Sequence, residues 1–521
     1  MALFLASGVA ACSKMMGSRW IVLVAASVCV CTACSSHAPS GAERPIEVVV
    51  PTEPQTLDPR FATRSLDVKI TRLVHAGLFG LDPTTLEPVP LAAEGSEWKD
   101  ARTLRVTLKP GVRFHGGGAL TPRDVCATIA AVRDPALGSP HRGIVEAIGT
   151  CVADGANAVV LTLDHARATL LTDLEIPILR ADEARSPPRS DGKLDGLGPF
   201  VIASVAPGEV SLSPATTSAM ATPRHAVVVR TVRDENARVQ RLLSGRSDVA
   251  PNAVSPQLLP ALDGRSGLRI VSRPGANVTY LMFQNDRAVF RDVAVRRAVA
   301  AAIDRDAIVR TLLAGRGTVA KELLPPGHWA SGEVGGERER GPEPAGEGGG
   351  AVAGRLELRA LGTVELLTST DRARVTMARV VAQMLGDAGL GVRVVTLDQG
   401  VMFARLDAGD FDLAVLQMPE LTEPNVLSWF FHPRGVPGEG GQGKNRARYR
   451  SELAGRLLDD ASTLEGRAAR RPLYRRLAAV MAADLPVIPL WHEDQVAVVS
   501  ERARGFLPSA EGRWLSLATL Y

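Results

Sequence analysis

Long apolar runs, charge of one sign, cysteine and aromatic side chains are all in short supply in this 521-residue chain. With 45% hydrophobic and 22% charged residues, and no membrane-length series of apolar spans, it is neither a disordered chain, a collagen nor a multi-span membrane protein. Sixty Lys+Arg balance 56 Asp+Glu to leave +4, and Arg is spread along the chain, so the electrostatic footprint of a nucleic-acid binder is missing. Aromatics at 4% accompany an excess of Ala, Arg and Gly, from which no function follows. No Gly-x-Ser-x-Gly elbow is present. None of the nine His has a His partner at i+4 or a neighbouring Cys beyond the leader, so neither a metal nor a cofactor is expected. Gly438–Asn445, GEGGQGKN, has the spacing of a phosphate loop but puts Asn445 where Ser or Thr would hold magnesium, and neither a strand before it nor a helix start after it supports that reading. It reads as a Gly-rich surface loop.

What is present begins with a leader. Ile21–Val30 is an apolar run too short to span a bilayer, preceded by Lys14 and Arg19 and followed by Cys31, Thr32, Ala33 and Cys34. The pattern resembles a bacterial lipoprotein signal over residues 1–33, with Cys34 as the acylated N-terminus; a signal without lipid, or a simple anchor, is the other reading. Met15 or Met16 would give a more usual signal length. Residues 34–45 then form a polar tether. Four of the six cysteines lie in this leader, leaving Cys126 and Cys151, which after export can form a disulfide or persist as a buried free pair.

The mature chain alternates short β-rich runs with helical periodicities, the mark of an α/β or α+β protein. Asp292–Gly315 carries Val295, Val299, Ile303, Val309 and Leu313 near helical spacing and is expected to be one amphipathic helix. Asp371–Gly389 and Ala468–Asp484 are further helices, each leading into a strand. Thr121, Pro122 and Asp124 read as an N-cap and first turn, and Asp82 in LDPTT as the acceptor of a turn. Residues 331–354, rich in Gly, Glu and Pro, read as a solvated loop.

Several segments occur in a telling order: PTEPQTLDP (51–59), LVHAGLFGLDPTTLEPVPLAAEGSEWKD (73–100), LRVTLKPGVRFHGGGALTPRDV (104–125), GLGPF (196–200), LLSGRSDVA (242–250) and VTYLMFQNDRAVFRDVAVRRAVAAAIDRDAIV (278–309). Together they resemble the extracellular solute-binding proteins of the oligopeptide, dipeptide and nickel family, family 5, the receptors of ABC importers. The resemblance implies an exported protein, lipid-anchored at the membrane surface, that captures a peptide-like solute and delivers it to ABC permease subunits. It implies binding, not catalysis. A signalling or scaffold lipoprotein that kept the fold without transport is the alternative.

The fold so implied is α/β: a large, type II periplasmic-binding-protein-like fold with an extra small subdomain and an interlobe ligand cleft. The first lobe is expected over 46–81, 191–285 and 491–521, the small subdomain over 82–190 and the second lobe over 286–490. In peptide-binding relatives, an Asp in the loop after one strand meets the ligand's amino group. The matching stretch, LAVLQMPELTEP (413–424), puts Glu420 there, with Glu423 and Pro424 as the following acidic-Pro pair, Gln417 where an aromatic often stands, and Met418 beside it. The other wall would be Thr63–Lys69, with Arg64, Ser65, Leu66 and Asp67, whose backbone in relatives pairs with the ligand as an added strand.

Overall fold

The structure is a computed structural model that describes residues 44–332, 358–418, 420–439 and 443–521. The leader, Cys34 and nearly all of the 331–354 loop lie outside the described residues. Among the described residues, no helix is long and apolar enough to cross a membrane.

Ile46–Val50, apolar at four of its five positions, is buried throughout and pairs in parallel with Val227–Thr231, Ile46 opposite Val227. A strand covered on both faces needs such a run rather than an alternating one. Around this pair forms a seven-stranded sheet in the order 268–273, 495–500, 249–251, 46–50, 227–231, 209–214, 200–206. The helix Ser65–Val74 packs Ile70, Leu73 and Val74 on it, alongside Trp514, Leu517 and Leu520 from the chain's end.

A six-stranded sheet in the order 317–319, 487–493, 278–283, 413–418, 363–369, 391–397 builds the second lobe. Its central strand, Val278–Phe283, is buried at every position, with Tyr280 and Met282 in one core and Leu281 and Phe283 in another. The chain therefore changes lobe at 274–277 and at Asp494, not after Asn285 and before Trp491 as the sequence reading expects. The single helix expected over Asp292–Gly315 is two, Val293–Ala301 and Arg305–Thr311. Asp304 accepts from Ala307 N–H at 2.8 Å and starts the second, a cap competing with the continuing helix.

The small subdomain is a four-stranded antiparallel sheet, 93–100, 103–108, 158–163, 148–153, covered by the helix Pro122–Arg133. Asp124 reaches back to accept from Thr121 N–H at 2.9 Å, and Cys126 on the helix is disulfide-bonded to Cys151 on the edge strand. Asp82 accepts from the N–H groups of Thr84 and Thr85 at 2.8 and 2.7 Å, the turn its sequence announces.

The two crossings between lobes run side by side. Asn277 donates from Nδ2 to Glu493 O at 2.7 Å and accepts from Glu493 N–H at 2.8 Å, tying both strands of the hinge into one ribbon. Gly275 is required there, because a Cβ would stand 2.2 Å from both the Asn277 amide nitrogen and the Glu493 carbonyl.

Candidate ligand site between the lobes

The strand Leu413–Met418 runs to the hinge and delivers the loop that carries Glu420. Leu421 N–H donates to Ala276 O at 2.7 Å, and Ala276 N–H donates to Ala510 O at 2.7 Å. This seam sets Glu420 of the second lobe beside Glu511 of the C-terminal segment. Across from them, the helix Ser65–Val74 contributes Lys69 and Arg72, whose charges act on both acids.

Burial dominates the electrostatics here. It pushes the Glu420 carboxyl up, against the pull of Lys69 and Arg72. It pushes Glu511 up to about 7, with the Glu420 charge adding to the rise. Lys69 is pushed down by burial, with both acids opposing. Arg72 is already engaged, 3.4 Å from a Glu175 oxygen that also accepts from Arg513 at 2.9 Å. Among the described residues, neither Lys69 nor Glu420 has an ion-pair partner within 4.0 Å.

The other expected residues fall elsewhere. Glu423 is bound by Arg470 at 2.9 Å, and Arg470 in turn lies over the Trp329 ring, so this carboxylate is neutralised inside the second lobe. Gln417 accepts from Arg374 at 2.6 Å, and Met418 is buried in the second-lobe core. Ser65–Lys69 is the first turn and more of a helix, so its backbone does not offer the added-strand edge expected of Thr63–Lys69. Arg64, just before it, is extended, at φ −76° and ψ 144°. Arg64 and Ser65 are exposed, Leu66 packs on the first-lobe core, and Asp67 accepts from Gln55 N–H at 2.9 Å and Thr56 N–H at 3.3 Å. Sequence reasoning placed Lys69 only as the end of the expected backbone wall and gave no role to Arg72, Glu511 or Trp514. The spacing of Lys69 and Arg72 put both on one helix face, but Glu511 reaches the site only through the chain's return to the first lobe.

Two surface pockets of about 400 and 210 Å³ are lined wholly by second-lobe residues, such as Arg296 and Asp484 or Leu323 and Met481, and neither includes Glu420. Convergent charge, not volume, marks the site. Among the described residues, no three His, Cys, Asp or Glu side chains converge on a point where a metal could sit.

Two α/β lobes joined by paired hinge strands, with opposed charges facing one another across the junction, define a two-lobed solute-binding protein. Residues 87–438 match the family described as bacterial extracellular solute-binding proteins, family 5, and the chain belongs to that family. It is 27% identical over 519 residues to Protein XP55 of Streptomyces lividans, covering 94% of this chain and 92% of that protein. It is 22% identical over 475 residues to the probable D,D-dipeptide-binding periplasmic protein DdpA of Escherichia coli, covering 87% and 90%. Among solved structures, the substrate-binding protein CtaP of Listeria monocytogenes superposes with a TM-score of 0.78 at 18% identity, covering 91% of this chain and 98% of that one. The oligopeptide-binding protein AppA of Bacillus subtilis, solved with a nonapeptide, gives 0.73 at 20% identity, covering 91% and 99%. The chain is thus an exported substrate-binding receptor of an ABC importer, working with membrane permeases.

Proposed function

We propose that this receptor captures a peptide-like solute bearing a free amino group and hands it on unchanged, from a lipid anchor at Cys34. The observation that carries the reading is Glu420: a carboxylate brought to the hinge, half-buried there and left without an ion-pair partner within 4.0 Å among the described residues. A half-buried carboxylate in that state favours a cation that arrives with the ligand. Relatives named as a probable D,D-dipeptide-binding protein and a probable di/tripeptide-binding protein support a peptide-like ligand. The family is one of transporter binding proteins, in keeping with binding without catalysis. Native mass spectrometry of the purified full chain tests the reading: a carried solute with a primary amine supports it, and a carried solute without any basic nitrogen overturns it.

A further inference from the structure

Leu86 holds a backbone conformation that its side chain disfavours. It closes the turn between Phe79–Leu81 and Pro88–Pro90, two short strands paired antiparallel at the entry to the small subdomain. Its φ is 56°, in the left-handed region where the Cβ of any residue but glycine crowds the backbone. A residue stays there only where its surroundings over-determine it. The side chain is 5% exposed and packs in a small cluster completed by Ala276 and Ala510.

Those surroundings come from three parts of the molecule. From the first lobe, Arg273 donates from Nη1 to the Pro83 carbonyl at 2.6 Å and to the Thr84 hydroxyl at 3.0 Å, and Ala510 N–H donates to the same carbonyl at 3.2 Å. From the lobe crossing at 274–277 comes Ala276, against which Leu86 rests. From the second lobe, Arg467 donates to the carbonyl of Leu86 itself at 2.7 Å and stands 3.2 Å from the Glu87 carboxylate. Ala276 and Ala510 are also bonded to one another in the seam, where Ala276 O accepts from Leu421 N–H on the loop that carries Glu420. One buried side chain thus rests on the junction where the chain changes lobe, and its own carbonyl is what the second lobe grips. An opening between the second lobe and the small subdomain releases that grip, and the left-handed conformation then loses one of its restraints.

We infer that Leu86 is a positioning residue of the receptor: it wedges the Ala276–Ala510 seam into register while Arg467 holds its carbonyl, and so the small subdomain couples docking of the second lobe to the order of the ligand junction. The coupling is reciprocal, since a firm seam favours docking as much as docking firms the seam. It goes beyond the ligand proposed above and does not depend on it, because the lobes, the crossing and the loop carry it without any solute.

Hydrogen exchange of the purified full chain, read by mass spectrometry on the peptides that carry Ala276, Leu421 and Ala510, tests this with no ligand present. Leu86→Ala should speed exchange in those peptides about tenfold, and Leu86→Met, which keeps an apolar side chain of similar volume, should return it close to the wild-type rate. Arg467→Ala removes the bonds to Leu86 and Glu87 but none of the seam's own, and should speed the same peptides to a similar extent. The double variant should exchange no faster than the faster single one, as expected of two residues acting through one contact. Wild-type rates at the seam in Arg467→Ala, or full addition of the two effects in the double variant, would overturn the coupling and leave Leu86 an ordinary packing residue. If Leu86→Ala does not fold, the Arg467→Ala comparison decides by itself.

Discussion

Arg467, on the second-lobe helix Arg467–Asp484, donates to the carbonyl oxygen of Leu86 at 2.7 Å, fastening that helix to the turn at the entry to the small subdomain. The same guanidinium stands 3.2 Å from the Glu87 carboxylate and lies over the Trp329 ring. This contact joins the second lobe to the small subdomain, so an opening of the cleft that separates the two would break it. Arg467→Ala should weaken ligand binding by about 1 to 2 kcal/mol, the scale of one charge-assisted hydrogen bond, through faster dissociation. Stopped-flow release of a bound solute, with small-angle scattering of the apo protein, checks this; an unchanged release rate would show that the contact does not hold the closed form.

Glu420→Gln should leave the fold intact and weaken an amine-bearing ligand by about 2 to 5 kcal/mol, the usual loss when one member of a buried charge pair is removed. The N-acetylated form of the same ligand should bind both proteins equally. Calorimetry decides, and undiminished affinity for the free amine in Glu420→Gln would make Glu420 a loop acid only.

Glu511 predicts a pH effect with a definite sign. Its carboxyl is pushed up to about 7 from an ordinary 4.5, first by burial, with Glu420 adding and Arg273 opposing; Lys69 also faces it, and Arg513 stands 3.5 Å away. The folded chain then holds a proton that the unfolded chain releases, so this contribution to stability is whole below about pH 4.5 and is lost as pH rises to about 7. The loss is roughly 3 kcal/mol. Glu511→Gln should flatten the dependence of the melting temperature on pH between 5 and 8; an identical slope in wild type and variant would refute the assignment.

Reducing the Cys126–Cys151 bond reopens a loop between a helix and an edge strand, and should cost the small subdomain about 3 kcal/mol. Melting with and without reductant, set against Cys126→Ala/Cys151→Ala, measures it. A double variant as stable as the oxidised wild type would show that the bond adds nothing.

For the leader, labelled palmitate should enter the wild-type chain and not Cys34→Ala. Equal labelling of the two would rule out Cys34 as the anchor.

Local signals were well written in this chain. Asp82 in LDPTT, Thr121-Pro122 before a helix and the apolar IEVVV each form what their residue types dictate, because each is decided within a few positions. The two-lobed arrangement and the family came from the order of such segments. What could not be seen was decided at long range. Val278–Phe283 belongs to the second lobe because of strands far along the chain, and Asp304 divided a helix that periodicity alone would continue. At the proposed site, the place of Glu420 in the loop after its strand was legible, whereas Glu423 was spent on Arg470 and most of the expected strand edge at Thr63–Lys69 was coiled into a helix. Glu511 carried no mark at all, since only the return of the C-terminus brings it near Lys69.

The first-lobe sheet places Gln495–Ser500 between Val249–Pro251 and Leu268–Arg273, and Leu268–Arg273 has no other neighbour in that sheet. A ribosome must therefore finish almost the whole polypeptide before this lobe can close its backbone hydrogen bonds. Until then the early strands remain unsealed, and a nascent chain that cannot complete its first lobe stays loose enough to be exported before it folds. The same strand order that assembles the receptor outside the cell delays it inside.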